Sequence, residues 1–286
     1  MNVNSEICDI LMVTYNRPAY TRLALQRLLD SCDDRMRVWL WHNGTDQETL
    51  AVVGELAEHP AVHRFHHSVE NVRLRQPTNW FFAESSGDYL SKVDDDCLVP
   101  ADWSQKLRAA HAANPDLGLI GCWRFFPEDF VPELANKKIV SLRGGHQLLA
   151  NCWVEGSGYL MKRQCVQQAG PIRDHESFSH YCIRLARMGW RSGWYFPFLY
   201  QEHMDDPRAE HTLLKSDQDL QRFMPLSAES FGAHTLADWR AQLKQSARTL
   251  QAAPADPRAY ARWRILWRRK VYARIAKGLG LSPLGW

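Results

Sequence analysis

What this 286-residue chain lacks narrows it before any motif is read. No apolar run approaches the roughly 18 residues that a membrane-spanning helix needs. The first apolar run follows Met1–Glu6, is about six residues long and has no basic stretch before it, so no signal peptide is expected. The seven cysteines (8, 32, 97, 122, 152, 165 and 182) are odd in number and contain no C-x-x-C pair. A disulfide scaffold or a structural zinc site is therefore not expected; free buried thiols in a reducing compartment are, and the expected location is cytoplasmic. Neither an internal repeat nor a low-complexity segment is present. With 45% hydrophobic and 23% charged residues the composition is that of an ordinary globular protein, which excludes disorder for most of the chain.

One absence is local. From Arg258 to the C-terminus there is no Asp or Glu, while eight Lys and Arg fall there, so the formal charge of +3 leaves residues 1–257 at −5. An acidic body argues against a nucleic-acid-binding module, because neutralising phosphates needs a basic footprint.

Along the chain, apolar runs at 8–13, 38–41, 62–65 and 89–93 alternate with helical spacing at 20–28, 50–57 and 78–85. That alternation predicts βαβ units and a mostly parallel sheet flanked by helices. Further on, a helix is expected at 103–113, a strand at 117–122 and an irregular stretch at 124–147. A strand, a glycine-permitted turn and a second strand are expected over 152–161, a helix at 179–188, an aromatic strand at 194–198, and helices beyond Asp206. In such sheets ligands bind at the carboxyl ends of the strands. The polar clusters Thr14–Arg17, Asn43–Asp46 and Asp94–Asp96 all fall at such ends.

Asp94-Asp95-Asp96 follows a predicted strand directly. Adjacent carboxylates at a strand end are costly unless solvent or a cation compensates, and a hard divalent metal shared with substrate phosphates does so. A solvated acidic turn is the alternative, since a bare D-x-D is a weak motif.

The wider context is more specific. A strand running into Thr14-Tyr15-Asn16-Arg17-Pro18, the cluster Asn43-Gly44-Thr45-Asp46, Asn79 eight residues before Gly87-Asp88-Tyr89, and then Val93-Asp94-Asp95-Asp96 resemble the family 2 glycosyltransferases of the GT-A fold. Gly156-Ser157-Gly158-Tyr159-Leu160-Met161 is similar to that family's acceptor-side loop, and Arg184-Leu185-Ala186-Arg187-Met188-Gly189-Trp190-Arg191 to its R-L-x-x-x-G-[YW]-[RK] segment. The resemblance spans roughly residues 8–205, with a GT-A domain expected over 1–210 and a helical extension over 211–286.

The resemblance implies a metal-dependent transfer of a sugar from a nucleotide-sugar donor, UDP-linked in preference, to a glycan or lipid-linked acceptor in cell-surface polysaccharide or lipopolysaccharide synthesis. Thr14, Tyr15, Asn16 and Arg17 would hold the nucleobase, with Asn43, Asn79 and Asp95 also on the donor side, and Asp46 would accept a hydrogen bond from a base N–H. Asp94 would contact the ribose or the metal, Asp96 would ligate Mn²⁺ or Mg²⁺ directly, and His203 would complete the shell. Trp153, Glu155, Gly156, Ser157 and Gly158 would face the acceptor, with Trp153 and Tyr159 either stacking on its sugar or packing in the core.

Two departures follow from the same comparison. Thr78 stands where many relatives carry Arg before the Asn, so Arg75 or Arg73 would take over that contact. The family's Glu-Asp pair, whose Asp is the base of inverting enzymes, falls on Ser177 and Phe178, which take no proton. The nearest carboxylates are Glu176, the first choice as base, and Asp174, the second. Other readings remain open. A nucleotidyltransferase would share the sheet and the aspartates but usually opens with a Gly-rich phosphate loop, absent from Val13–Pro18. A non-catalytic carbohydrate- or partner-binding protein on a degenerate fold would explain the missing pair.

Residues 258–281 place Trp263, Leu266, Trp267, Val271, Ile275 and Leu279 at helical spacing among arginines. This is the pattern of a basic amphipathic helix on an anionic membrane, or of one docked on the catalytic domain or on another subunit.

Overall fold

The computed structural model of the chain describes residues 6–261, so all but the first few residues of the basic amphipathic segment expected over 258–281 lie outside the described residues. The chain begins with β1 (Cys8–Thr14), α1 (Pro18–Asp30), β2 (Met36–Asn43), α2 (Gln47–Leu56), β3 (Val62–Ser68), α3 (Arg75–Glu84) and β4 (Tyr89–Lys92). A two-residue strand, β5 (Cys97–Leu98), precedes α4 (Trp103–Ala113) and β6 (Leu117–Gly121). The middle of the chain carries α5 (Pro132–Ala135), β7 (Ile139–Ser141), β8 (Gln147–Asn151), β9 (Tyr159–Lys162) and α6 (Arg163–Ala169). It continues through α7 (Phe178–Arg187), β10 (Arg191–Phe196), β11 (Glu202–His203), α8 (Asp217–Arg222), α9 (Leu226–Ser230) and α10 (Leu236–Ala252).

Nine strands form one sheet in the order β3-β2-β1-β4-β9-β6-β10-β8-β7. The β3-β2-β1-β4 half is parallel throughout, as the alternation of strands and helices predicts. β6 and β10 are parallel to each other, and β9 enters between β4 and β6 antiparallel to both. β1 is buried along its whole length, and its side chains divide by parity. Cys8, Ile10 and Met12 join the core under α1 and α4, whereas Leu11 and Val13 join the one under α3, α7 and α10. The sheet is thus covered on both faces.

Two strand expectations shift. Where a strand is expected to start at Cys152, β8 has already ended at Asn151, whose Oδ1 accepts from the Cys152 N–H (2.8 Å). The strand expected over 194–198 runs from 191 to 196 and stops before Pro197, which has no N–H to give.

Helix α10 is part of the body. Thr235 and Asp238 form a reciprocal capping box at its start, and Trp239, Leu243 and Ala247, spaced by four residues, are buried in the second core. Gln251, fully buried, accepts from the Val131 N–H (2.7 Å) and donates to the Asp129 carbonyl (2.8 Å). The turn Pro257–Tyr260 docks on α7 through Arg187, which donates to the Tyr260 carbonyl (2.8 Å). No helix among the described residues is long and apolar enough to cross a membrane.

Candidate active site

The carboxyl ends of β1, β2 and β4 converge on one rim of the sheet, and the polar clusters lie on their loops. At the end of β1, Thr14 is buried and its hydroxyl is hydrogen-bonded to His42 Nδ1 (2.9 Å). Tyr15 is exposed, and its ring closes over Gly44, where φ is +90° and a Cβ would stand 3.1 Å from the Tyr15 ring. Asn16 is also left-handed (φ 48°), which turns the chain into α1 and aims Arg17 back across the rim.

Several residues expected to touch the donor have both ends occupied within the protein. Asn43 accepts from Trp41 Nε1 (3.0 Å) and the Val72 N–H (3.3 Å) and donates to the Arg73 carbonyl (3.3 Å). Asn79 exchanges two hydrogen bonds of 2.9 Å with the backbone of Ile172. Both amides therefore brace loops at the rim instead of projecting free groups into it. Asp46 caps α2, accepting from the Thr49 N–H (2.8 Å) and hydroxyl (2.5 Å), and these bonds hold its carboxyl below the usual range. Arg75 pairs with Asp174 (3.3 Å) on the loop before α7.

The three aspartates after β4 separate in role. Asp94 pairs with Lys92, whose side chain is almost fully buried, and its N–H donates to Ser157 Oγ (2.9 Å). Burial raises the Asp94 carboxyl despite Lys92. Asp95 accepts from the Tyr15 N–H and the Thr21 hydroxyl, each at 3.3 Å, and burial pushes it up to about 7 against the pull of Arg17. Asp96 faces the other way.

A short ribbon brings Asp96 its partners. β5 and β11 pair antiparallel with His203 opposite Cys97, and the Met204 N–H donates to the Asp96 carbonyl (2.8 Å). One ligand atom each from Asp96, His203 and Asp205 then lies within 4.8 Å of the others. Arg17 spans both carboxylates, donating to Asp205 through two nitrogens (3.0 and 2.9 Å) and standing 3.6 Å from Asp96. Burial disfavours the charge on Asp96, but His203 and Arg17 outweigh it and hold Asp96 low, whereas burial and the Asp96 charge push the Asp205 carboxyl up. Burial and the adjacent Arg124 push His203 down to about 3, so near neutral pH the imidazole keeps a lone pair. Two carboxylate oxygens and a neutral imidazole nitrogen form a donor set suited to Mn²⁺ or Mg²⁺.

Sequence reading did not select Asp205; its signal was its place two residues past His203 in Glu202-His203-Met204-Asp205-Asp206. The expected ligand Asp94 is outside this cluster, because Lys92 engages it. Around the triad the 203–213 segment is tightly tied. Tyr20 donates to the Met204 carbonyl (2.8 Å) and accepts from the Leu213 N–H (2.8 Å), and Trp239 Nε1 donates to the Asp205 carbonyl (2.7 Å).

On the acceptor side, Glu155 is paired with Arg124, which also reaches His203 (3.0 Å). Burial raises the Glu155 carboxyl despite that partner, and among the described residues its Oε2 has no hydrogen-bond partner. Gly156 packs near Phe178 and Lys92, which sets the first turn of α7 beside the aspartates. Tyr159 is fully buried and stacked on Phe178 (4.8 Å), so it is core and not a sugar platform, while Trp153 meets Tyr260 edge-on (5.3 Å). Gly158 has φ +64° and leaves no room for a side chain, because a Cβ would sit 1.9 Å from Oε1 of the buried Gln201. Gly158→Ala is expected to cost about 2 kcal/mol from left-handed strain and displacement of Gln201, read as a lower thermal midpoint.

The two base candidates differ. Both Glu176 oxygens are taken by Arg184 (2.9 and 2.7 Å), and one also accepts from the Arg173 N–H (3.0 Å). Burial opposes this, but the Arg184 bonds win and hold Glu176 below the ordinary range, which is the wrong direction for a proton acceptor. Asp174 is exposed and has only Arg75 beside it.

Comparison with known proteins agrees with the geometry. The family model described as glycosyl transferase family 2 matches residues 9–175. Among solved structures, the mannosyltransferase PcManGT from Pyrobaculum calidifontis, in complex with GDP-Man and Mn²⁺, is 18% identical with a TM-score of 0.57, covering 92% of this chain and 83% of that one. S. aureus TarS 1–349 is 12% identical with a TM-score of 0.54, covering 93% of this chain and 92% of that one, and a complex of it with UDP aligns equally well. No curated protein matches the chain. With the matched segment covering more than half of its length, and the parallel strands and rim aspartates inside that segment, the chain belongs to glycosyl transferase family 2 and is a glycosyltransferase of the GT-A fold.

Proposed function

We propose that this glycosyltransferase uses a nucleotide-sugar donor, UDP-linked in preference, with a divalent metal held by Asp96, His203 and Asp205, and transfers the sugar to a glycan or lipid-linked acceptor with inversion. The observation that carries the proposal is the convergence of Asp96, His203 and Asp205 at the rim where Tyr15, Gly44 and Asp95 line the donor side. When bound, the metal would supply Lewis-acid neutralisation of the departing diphosphate. PcManGT with GDP-Man and Mn²⁺, and TarS with UDP, support a nucleotide donor and a metal on this fold. Tyr15 presents an exposed aromatic face for a nucleobase, and Thr14 and Asn16 fix the loop that carries it. Asp46, Asn43 and Asn79 shape the donor side, while Trp153, Glu155, Gly156, Ser157 and Gly158 form the acceptor-side loop.

The test is nucleotide release from a panel of UDP-, GDP-, dTDP- and CMP-sugars with Mn²⁺. Release from one of them that EDTA stops and Mn²⁺ restores is expected; no binding or turnover of any donor, with or without a lipid extract, would sink the proposal.

For the base, Asp174 is favoured over Glu176, reversing the order read from sequence, because Arg184 occupies both Glu176 oxygens. Asp174→Asn should lower transfer about 100-fold at unchanged donor KM. Glu176→Gln should act through the loop before α7 and lower the thermal midpoint as well. Equal activity of Asp174→Asn and the parent would remove Asp174 from the mechanism.

The basic tail would bring the enzyme to a membrane-borne acceptor, supported by its eight uncompensated positive charges. A chain ending at Pro257 should no longer sediment with anionic vesicles while keeping donor hydrolysis.

A further inference from the structure

The residue that holds the two candidate ligand carboxylates together is itself a cation. Arg17 engages both oxygens of Asp205 at once, NH1 on Oδ2 (3.0 Å) and NH2 on Oδ1 (2.9 Å), and the same NH2 is 3.6 Å from Asp96. Two carboxylates this close, Asp205 buried and Asp96 half-buried, need a positive partner. Among the described residues, the guanidinium of Arg17 is the group ion-paired with both. A fork bonded to both Asp205 oxygens occupies one lone pair on each, so a divalent ion entering the site either shares these oxygens with the guanidinium or displaces one of its charge-assisted bonds. It must also tolerate a second positive charge beside it.

Arg17 is placed to yield. Its stem lies over the Tyr20 ring, with the guanidinium carbon 4.6 Å from the centroid, and its side chain is 27% exposed. It stands one residue past the left-handed Asn16, on the loop that opens toward the donor side. The carboxylates do not share that freedom: Trp239 and Tyr20 fix the backbone at Asp205 and Met204 from below.

We propose that Arg17 is a resident counter-ion of the metal site. It stabilises Asp96 and Asp205 before loading, competes with the divalent cation for Asp205, and is drawn off toward the anionic diphosphate when the donor arrives. Cation binding is then weak alone and strong with a nucleoside diphosphate, partly because the nucleotide removes the competitor. This role rests on the metal-dependent reading above.

The test is Mn²⁺ binding to the full chain, followed by the paramagnetic resonance of free Mn²⁺, with and without UDP or GDP. Arg17→Met keeps the stem over Tyr20 and removes the charge; Arg17→Lys keeps a charge without the fork. In the absence of nucleotide, Arg17→Met should bind Mn²⁺ roughly tenfold more tightly than the parent, with Arg17→Lys between them. The added tightening by nucleotide should shrink in Arg17→Met. A second readout is thermal: Arg17→Met should melt below the parent without cation and gain more from Mn²⁺ than the parent does. Mn²⁺ affinity in Arg17→Met equal to or weaker than that of the parent would overturn the competitor role while leaving the metal site standing. No Mn²⁺ binding by any of the three proteins, even with nucleotide, would overturn the metal site and this role with it.

Discussion

Asp96→Ala is expected to lower donor turnover by a factor of about 100 to 1,000 while the protein stays folded. Its side chain contributes to the candidate metal cluster and also receives the approach of Arg17 and of His203, whose Nε2 is 3.8 Å away. Removing it takes away one negative charge beside Asp205, whose carboxyl burial and, after it, the Asp96 charge push up. The loss should therefore fall on function more than on stability: the thermal midpoint without cation should drop only modestly, because the pairing of Asp96 with Arg17 and His203 is lost while its like-charge contact with Asp205 is relieved. A large drop in the midpoint, or activity close to that of the parent, would contradict this account of the site. Asp205→Ala makes a useful companion, since it strands Arg17 and should reduce both activity and stability.

Asp9→Ala is expected to do the reverse. Asp9 is a fully buried carboxylate, the second residue of β1, at the end of that strand away from the rim. Five donors converge on it: Arg37 through Nε (2.8 Å) and NH2 (2.9 Å), Trp39 Nε1 (3.0 Å), and the N–H groups of Ser86 (3.0 Å) and Gly87 (2.6 Å). Alanine leaves Trp39 and two backbone N–H groups unpaired inside the protein, at a cost of about 3 kcal/mol or more. Denaturant unfolding should show the loss with an unchanged slope. The pH dependence provides a second check. Burial opposes ionisation of Asp9, but the bonds from Arg37, Trp39 and Gly87 hold its carboxyl below 3.8 in the folded state. Its contribution is therefore complete above that value and fades as pH falls through the folded pKa, so the stability gap between parent and variant should narrow in acid. A gap that widens in acid would contradict the assignment.

The contrast between these two aspartates shows which parts of the protein local sequence could reveal. The parallel half of the sheet was legible because β1, β2 and β4 are short apolar runs separated by helical spacing, and the rim followed from their order. Asp94-Asp95-Asp96 was legible as a cluster, but its division of labour was not. Lys92 captures Asp94 from within β4, Asp95 turns to the Tyr15 backbone, and only Asp96 meets His203. That division depends on β5 and β11, two residues each and too short for any periodicity, whose register sets His203 opposite Cys97. Asn43 and Asn79 illustrate the converse. Their spacing marked them as site residues, yet their amides are consumed by Val72, Arg73 and Ile172, partners that only the folded chain supplies. Glu176 was the nearest suitable carboxylate in sequence, and Arg184, one helix later, takes it.

Trp239 gives the far end of the chain a hold on the candidate metal cluster. Its indole supports the Asp205 carbonyl from α10, more than sixty residues beyond the end of the matched family segment, and His203 and Asp205 themselves also lie past that end. The portion recognisable as family 2 thus carries the donor-side rim and Asp96 but is chemically incomplete. A fragment cut at residue 175 would lack two of the three candidate ligands and also β10 from the sheet, and one cut at 210 would lack the floor beneath Asp205. On the metal-dependent reading proposed above, α10 therefore belongs in any transplant of this site.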